Sequence, residues 1–168
     1  MSESFEVVVR VVLTGVGATV AMDLWALLLR QFGVSSLNYA FLGRWLGHLP
    51  RGRWVHERIA AAEPVRGEGV IGWSAHYAIG ITFAALLVAV FGESWLRAPT
   101  PGPALCIGLA TLVAPLFVLQ PALGAGIASS KTPTPVLNCF KSAVTHTVYG
   151  VGLYLSATAI ASLMGPGA

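Results

Sequence analysis

Three ionisable side chains, Asp23, His76 and His146, stand in stretches of sequence too apolar to hydrate them. A charge or an unpaired polar group in hydrocarbon is costly, so such residues are expected to face protein, water or one another. A carboxylate and two imidazoles together suit a proton relay, because imidazole titrates near neutrality, or a divalent cation held by Asp23, His76 and His146. A zinc-bound water is a weaker reading, since no HExxH-like motif accompanies them. His76 and His146 are each followed one turn later by glycine, Gly80 and Gly150, which would leave room for a bis-His haem. A carboxylate at the same level has no role in such a site. The structural alternative is that Asp23 pairs with a histidine, and each histidine with a carbonyl or threonine, only to fix packing.

The elements that must position these residues follow from hydropathy. The chain has 168 residues, 55% of them hydrophobic and 10% charged, with a mean hydropathy of +0.74. A soluble domain carries about 25% charged residues. Disorder is excluded for the same reason, and a net charge of +3 is too small for a surface that tracks nucleic-acid phosphates. Two cysteines, Cys106 and Cys139, make no disulfide framework. Four windows are long enough to span a bilayer: 7–29, 70–91, 104–123 and 140–164. The expectation is a single-domain, all-α integral membrane four-helix bundle. The first apolar run lacks a positive n-region and a cleavage site, and is read as retained.

Eight of the ten Lys and Arg residues fall in the connection 30–69 or around the third connection. By the positive-inside rule these connections are cytoplasmic and both termini lie outside. Arg10 is expected to snorkel to the outer surface. Counting about 1.5 Å of rise per residue, Asp23, His76 and His146 each lie roughly 9 Å below the cytoplasmic end of their spans. Each also lies on a stripe of small residues: Gly15, Thr19 and Asp23; Gly72, His76 and Gly80; Ser142, His146 and Gly150. The three are therefore expected to form one polar layer, with Thr19 on its stripe and Gln120 joining from the third span. Pro121 should push Gln120 out of helical geometry, with Pro115 adding a kink. A broken helix beside a polar layer is how transporters build solute sites, and the Gly-rich continuation offers Ser129, Ser130 and Lys131 to an anionic ligand or lipid. A weak echo, Ala18-Thr19 with Ala110-Thr111 and His76-x-x-x-Gly80 with His146-x-x-x-Gly150, suggests two tandem helix hairpins.

Within 30–69, Leu37, Phe41, Trp45 and Leu49 recur every fourth residue, predicting a short interfacial amphipathic helix capped by Ser36, with Asn38, Arg44 and His48 on its polar face. A second short helix is expected over Trp54–Ala62. Arg44, Arg51 and Arg53 are candidate contacts for an anionic ligand or anionic lipid. His48 and His56 read as exposed loop residues, Trp45, Trp54, Trp73 and Trp95 as interfacial anchors, and Trp25 as a cover for Asp23.

The stretches AMDLWALLLR (21–30), SLNYAFLGRWLGH (36–48), GWSAHY (72–77) and QPALGAGIASSKTP (120–133) make the chain resemble a bacterial family of small inner-membrane proteins catalogued as domain of unknown function 2938. The resemblance implies a multi-span bacterial membrane protein and brings no activity, cofactor or catalytic residue. Transport of a proton, cation or small solute through the Asp–His–His layer is the leading reading. A haem- or metal-dependent membrane enzyme and a non-catalytic lipid- or partner-binding protein are the alternatives. The bilayer is the expected partner, with a homodimer plausible for so thin a bundle.

Overall fold

The computed structural model describes residues 2–34 and 36–165. All regular elements among them are helical: α1 (Glu3–Gln31), α2 (Tyr39–His48), α3 (Glu68–Phe91), α4 (Pro101–Ala110), α5 (Gln120–Leu123) and α6 (Pro135–Met164). The segments Glu3–Gln31, Glu68–Phe91, Pro101–Leu123 and Pro135–Met164 are long and apolar enough to cross a membrane. The protein is a helical membrane bundle with one short helix, α2, between the first two spans. The helix α6 begins at Pro135, five residues before the expected start, because proline at the first helical position has no N–H to leave unsatisfied.

The third span is interrupted earlier than the sequence implies. Pro115 has no N–H for the carbonyl of Thr111, which instead accepts from Ala114 at 3.0 Å. A wide π turn then runs Ala114–Leu119. Gln120 is helical, with φ −59° and ψ −47°, so Pro121 does not displace it. The widened turn has already taken up the distortion that two prolines in seven residues impose.

Two halves of the bundle pack differently. Toward the termini, Val11, Ala18, Ala84, Leu87, Trp95, Ile107, Tyr149 and Leu153 form one dry core. Trp95 is buried in it, bonded to the Thr100 carbonyl at 3.1 Å, and is no interfacial anchor. Arg10 does not snorkel either. It is 1% exposed, holds Glu6 at 2.8 Å and donates to the Gly165 carbonyl at 2.9 Å, placing a cation at the C-terminal end of α6. Toward the opposite, basic end the same four spans enclose a cavity.

The helix α2 helps to close that basic end, with the polar face of the expected interfacial helix turned into the protein. Leu42, Gly43, Arg44 and His48 are buried, while Phe41 and Trp45 are only half-buried. Apolar side chains can face lipid, so the polar ones turn to the protein. Asn38, not Ser36, caps it, accepting from the Ala40 N–H at 3.0 Å. Gly43 and Gly72 bring α2 and α3 into backbone contact, where a Cβ on Gly43 would strike the Glu68 carbonyl and one on Gly72 the Tyr39 carbonyl. Arg44 makes a two-pronged ion pair with Glu68 at 2.8 and 2.7 Å and donates to the carbonyls of Ile59 and Ala62 at 3.1 Å each. It is therefore not free for an anionic ligand or lipid. The strap after α2 forms only a short turn, Ile59–Ala61, in place of the expected second helix. His48 is fully buried and not a loop residue, its Nδ1 lying 2.8 Å from His56 Nε2. The His56 N–H donates to the Ala122 carbonyl at 2.9 Å, tying the strap to α5.

Two outcomes follow from this packing. Gly43→Ala should lower the detergent melting temperature by the few degrees that about 1–3 kcal/mol of overpacking implies, whereas Gly69→Ala, with open space around it, should be neutral or stabilising in a parallel thermal melt. Burial, then the positive neighbours His56, Arg51 and Arg53, hold His48 below the ordinary histidine value of 6.5. The folded strap thus binds fewer protons than the unfolded chain, so its stability is full above pH 6.5 and falls as pH drops through the window below it. Hydrogen-exchange protection of the His56 amide, corrected for intrinsic rate, should decrease on acidification and lose that dependence in His48→Phe.

Candidate functional site

Asp23 sits in an otherwise apolar stretch of α1, and its carboxylate is answered entirely from α3. Its Oδ1 lies 3.0 Å from His76 Nε2 and its Oδ2 accepts the Tyr77 hydroxyl at 2.9 Å. Adjacent residues of α3 thus grip both oxygens, as a bidentate clamp would. Since the carboxylate needs a donor, the imidazole carries its proton on Nε2, and its Nδ1 has no partner among the described residues. The Tyr39 ring stacks on His76 at 4.0 Å and 23°, with Trp73 and Tyr77 edge-on at 5.9 and 5.6 Å. Burial and the charge of Asp23 hold the Tyr39 phenol well above its ordinary range, so this ring stays neutral. The backbone approach at Gly43 and Gly72 is what lays Tyr39 over His76.

His146 is not part of that cluster. Its Nδ1–H donates to the Gly108 carbonyl at 3.2 Å and to Thr111 Oγ1 at 3.1 Å, beside the interruption of the third span. The Thr111 hydroxyl itself donates to Gly108 at 2.9 Å. Among the described residues no group of three His, Cys, Asp or Glu is placed to hold a metal ion. His146 finds partners other than Asp23 for a reason visible in the paired hairpins. Aligning Ala18-Thr19 with Ala110-Thr111 puts Pro115 opposite Asp23, so the second hairpin offers His146 a hydroxyl and a carbonyl and no carboxylate.

The two histidines nevertheless line one space. A cavity of about 590 Å³ is bounded by α1, α2, α3, the π turn and α6, with Thr19, His76, Gln120, Ser129 and His146 among its walls. Its floor is Tyr149, whose hydroxyl donates to the Gly80 carbonyl at 2.6 Å, with Phe83 edge-on at 6.2 Å. Thr19 is satisfied by the Gly15 carbonyl at 2.7 Å. Gln120 approaches Ser142 at 3.5 Å while its Oε1 is buried without a partner. A second cavity of about 620 Å³ lies beside it, lined by Asp23, Arg30, Asn38 and Trp73. Tyr39 borders both, so the Asp23–His76 pair bridges the wall between them.

Of the residues expected to meet an anion, only Ser129 lines the first cavity. It is buried and, like Ala128, has positive φ, 59° and 50°, a conformation that costs a residue with a Cβ of order 1 kcal/mol. Arg51, Arg53, Ser130 and Lys131 are exposed. Sequence reasoning missed Tyr39, Tyr77 and Lys141. Tyr77 directly follows His76, and Lys141 shares the α6 stripe of Asn138, Ser142, Thr145 and His146. The earlier start of α6 puts Lys141 six residues into the helix and not at its tip, lining the cavity.

Fold and site together define a four-span membrane protein whose bundle is packed at one end and hollow at the other. A family described as a protein of unknown function (DUF2938) matches residues 12–160. The chain belongs to that family. Comparisons with curated proteins and with solved structures give no match.

The hydrogen bonds fix the tautomers, which can be measured. Nitrogen-15 spectra of histidine-labelled protein at neutral pH should show His146 protonated on Nδ1, and should still do so in Thr111→Val because the Gly108 carbonyl remains. A dominant Nε2–H form of His146 would contradict the geometry.

Proposed function

We propose that the protein is a proton-linked binder or carrier of a small solute, with the first cavity as solute site and Asp23–His76 as the proton-exchange group. The observation that carries this reading is the position of the pair: Asp23 borders one cavity, His76 the other, and a 3.0 Å hydrogen bond joins them. A proton arriving at His76 Nδ1 from the solute cavity makes the imidazolium. The Nε2 proton then passes to Asp23, leaving a neutral ring protonated on Nδ1, and Asp23 releases the proton into the second cavity. Return of the ring to its Nε2–H form resets the pair. Tyr77 holds the second carboxylate oxygen throughout and fixes which lone pair faces His76.

The same geometry disfavours a haem between His76 and His146. The His76 Nε2 is committed to Asp23, and Tyr39 covers one face of its ring. The eight basic residues toward the cavity end support a cytoplasmic position for that end in a bacterial inner membrane, with both termini outside. Solute would then enter the first cavity from the cytoplasmic leaflet or the cytoplasm.

Proton flux into proteoliposomes under an imposed potential, read with an entrapped pH dye, tests the reading. Asp23→Asn and His76→Gln should each slow it by about tenfold or more, the effect of roughly 1.4 kcal/mol on the barrier. Tyr77→Phe should slow it less. Equal flux in wild type, both variants and protein-free vesicles would remove the proposal.

A further inference from the structure

The first cavity is unequal on its two sides. From α6 it receives Asn138, Lys141, Ser142, Thr145 and His146, which at spacings of three and four form one polar face. From α1, the connection that follows it, α2 and α3 it receives Met22, Leu29, Leu37, Leu42, Ile79 and Phe83. Among the described residues Lys141 is the only permanently charged one in its walls, and no carboxylate lines it. Among the described residues Lys141 has neither an ion-pair nor a hydrogen-bond partner.

Gln120 lies on the same side. Its Oε1 is buried without a partner, and its Nε2 makes only a long contact with Ser142. A half-turn of this amide lets the Ser142 hydroxyl donate to Oε1 and presents the amide N–H groups where the bare oxygen now lies. The side chain is thus unsatisfied as it stands, in a residue that lines the cavity. An ammonium and an amide in the walls of one cavity can recognise an anionic head, while the apolar wall takes an apolar body.

Size and access narrow the class. About 590 Å³ falls within the range for a single drug-sized ligand. The helix α3 and the π turn both line the cavity yet barely touch one another, whereas α1 packs closely on α3 and α6. The cavity therefore lies behind the weakest seam of the bundle, the side on which an amphipath dissolved in the bilayer would arrive.

Resting on the solute site proposed above, we infer that its ligand is a single-chain amphipathic monoanion, its head held by Lys141 and Gln120 and its chain lying against α1 and α3. The Asp23–His76 pair then exchanges protons beside a bound acid and does not itself hold the head.

Binding to full-length protein in nanodiscs of zwitterionic lipid, followed by calorimetry after subtraction of empty nanodiscs, tests the inference with decanoate, decyl phosphate, decanol and inorganic phosphate as probes. Decanoate or decyl phosphate should bind at least about tenfold more tightly than decanol, and inorganic phosphate should not bind. Whichever of the two binds identifies the head as carboxylate or phosphate. Lys141→Gln should abolish the preference for the anion, Lys141→Arg should retain it, and Asp23→Asn should leave it in place. Equal affinity for decanol and both anions, or an anion preference unchanged in Lys141→Gln with the wild-type melting temperature, would overturn the ligand class. Loss of proton flux in Asp23→Asn with no anion preference would spare the proton-exchange reading and reject only this one.

Discussion

A carboxylate inside an apolar helix must be answered from within the protein, and Asp23 sets that requirement for this fold. Lipid offers no hydrogen bond, so α3 has to approach α1 closely enough for His76 and Tyr77 to reach both oxygens. The approach is possible because Gly80 faces Thr19 where a larger residue would collide. Once His76 is turned to Asp23, its ring faces need cover, and Tyr39 provides it from α2. The docking of α2 in turn depends on the close contact at Gly43 and Gly72 and on the Arg44–Glu68 pair. One buried charge therefore accounts for the placement of three helices.

The hollow follows from what the second hairpin lacks. In place of a carboxylate it has Pro115, and the backbone there widens into the π turn instead of closing against α3. His146 settles for Gly108 and Thr111, and the polar residues of α6 below it face open space. The dry core toward the termini carries the packing that the basic end gives up. Such a division suits a protein that must be stable as a bundle and still admit a ligand.

Much of this architecture was legible from hydropathy and charge. Four spans, a helix within 30–69 and the inward placement of Asp23 and His76 all follow from the exclusion of polar groups by lipid. What the linear pattern could not show was partnership. Depth and helical phase put His146 level with Asp23, but an extra turn of α6 and a proline on the neighbouring helix direct it elsewhere. The same blindness affected α2, whose polar face is expected to meet water and instead meets protein. Arg44 illustrates the point: counted as a surface cation, it is the anchor of α2. Lys141 shows the converse, a residue taken for an orientation signal that lies in the cavity wall.

The two histidines show how one residue type acquires different chemistry from its neighbours. At His76 the carboxylate fixes the proton on Nε2. At His146 a carbonyl and a hydroxyl fix the proton on Nδ1, with no anion beside the ring. In the proposed exchange only His76 has a route to the far side, since Asp23 borders a separate cavity. His146, with no carboxylate beside it, has none. On that proposal the asymmetry between the hairpins, one with Asp23 and one with Pro115, gives exchange across the wall to the first and leaves the second to shape the solute site.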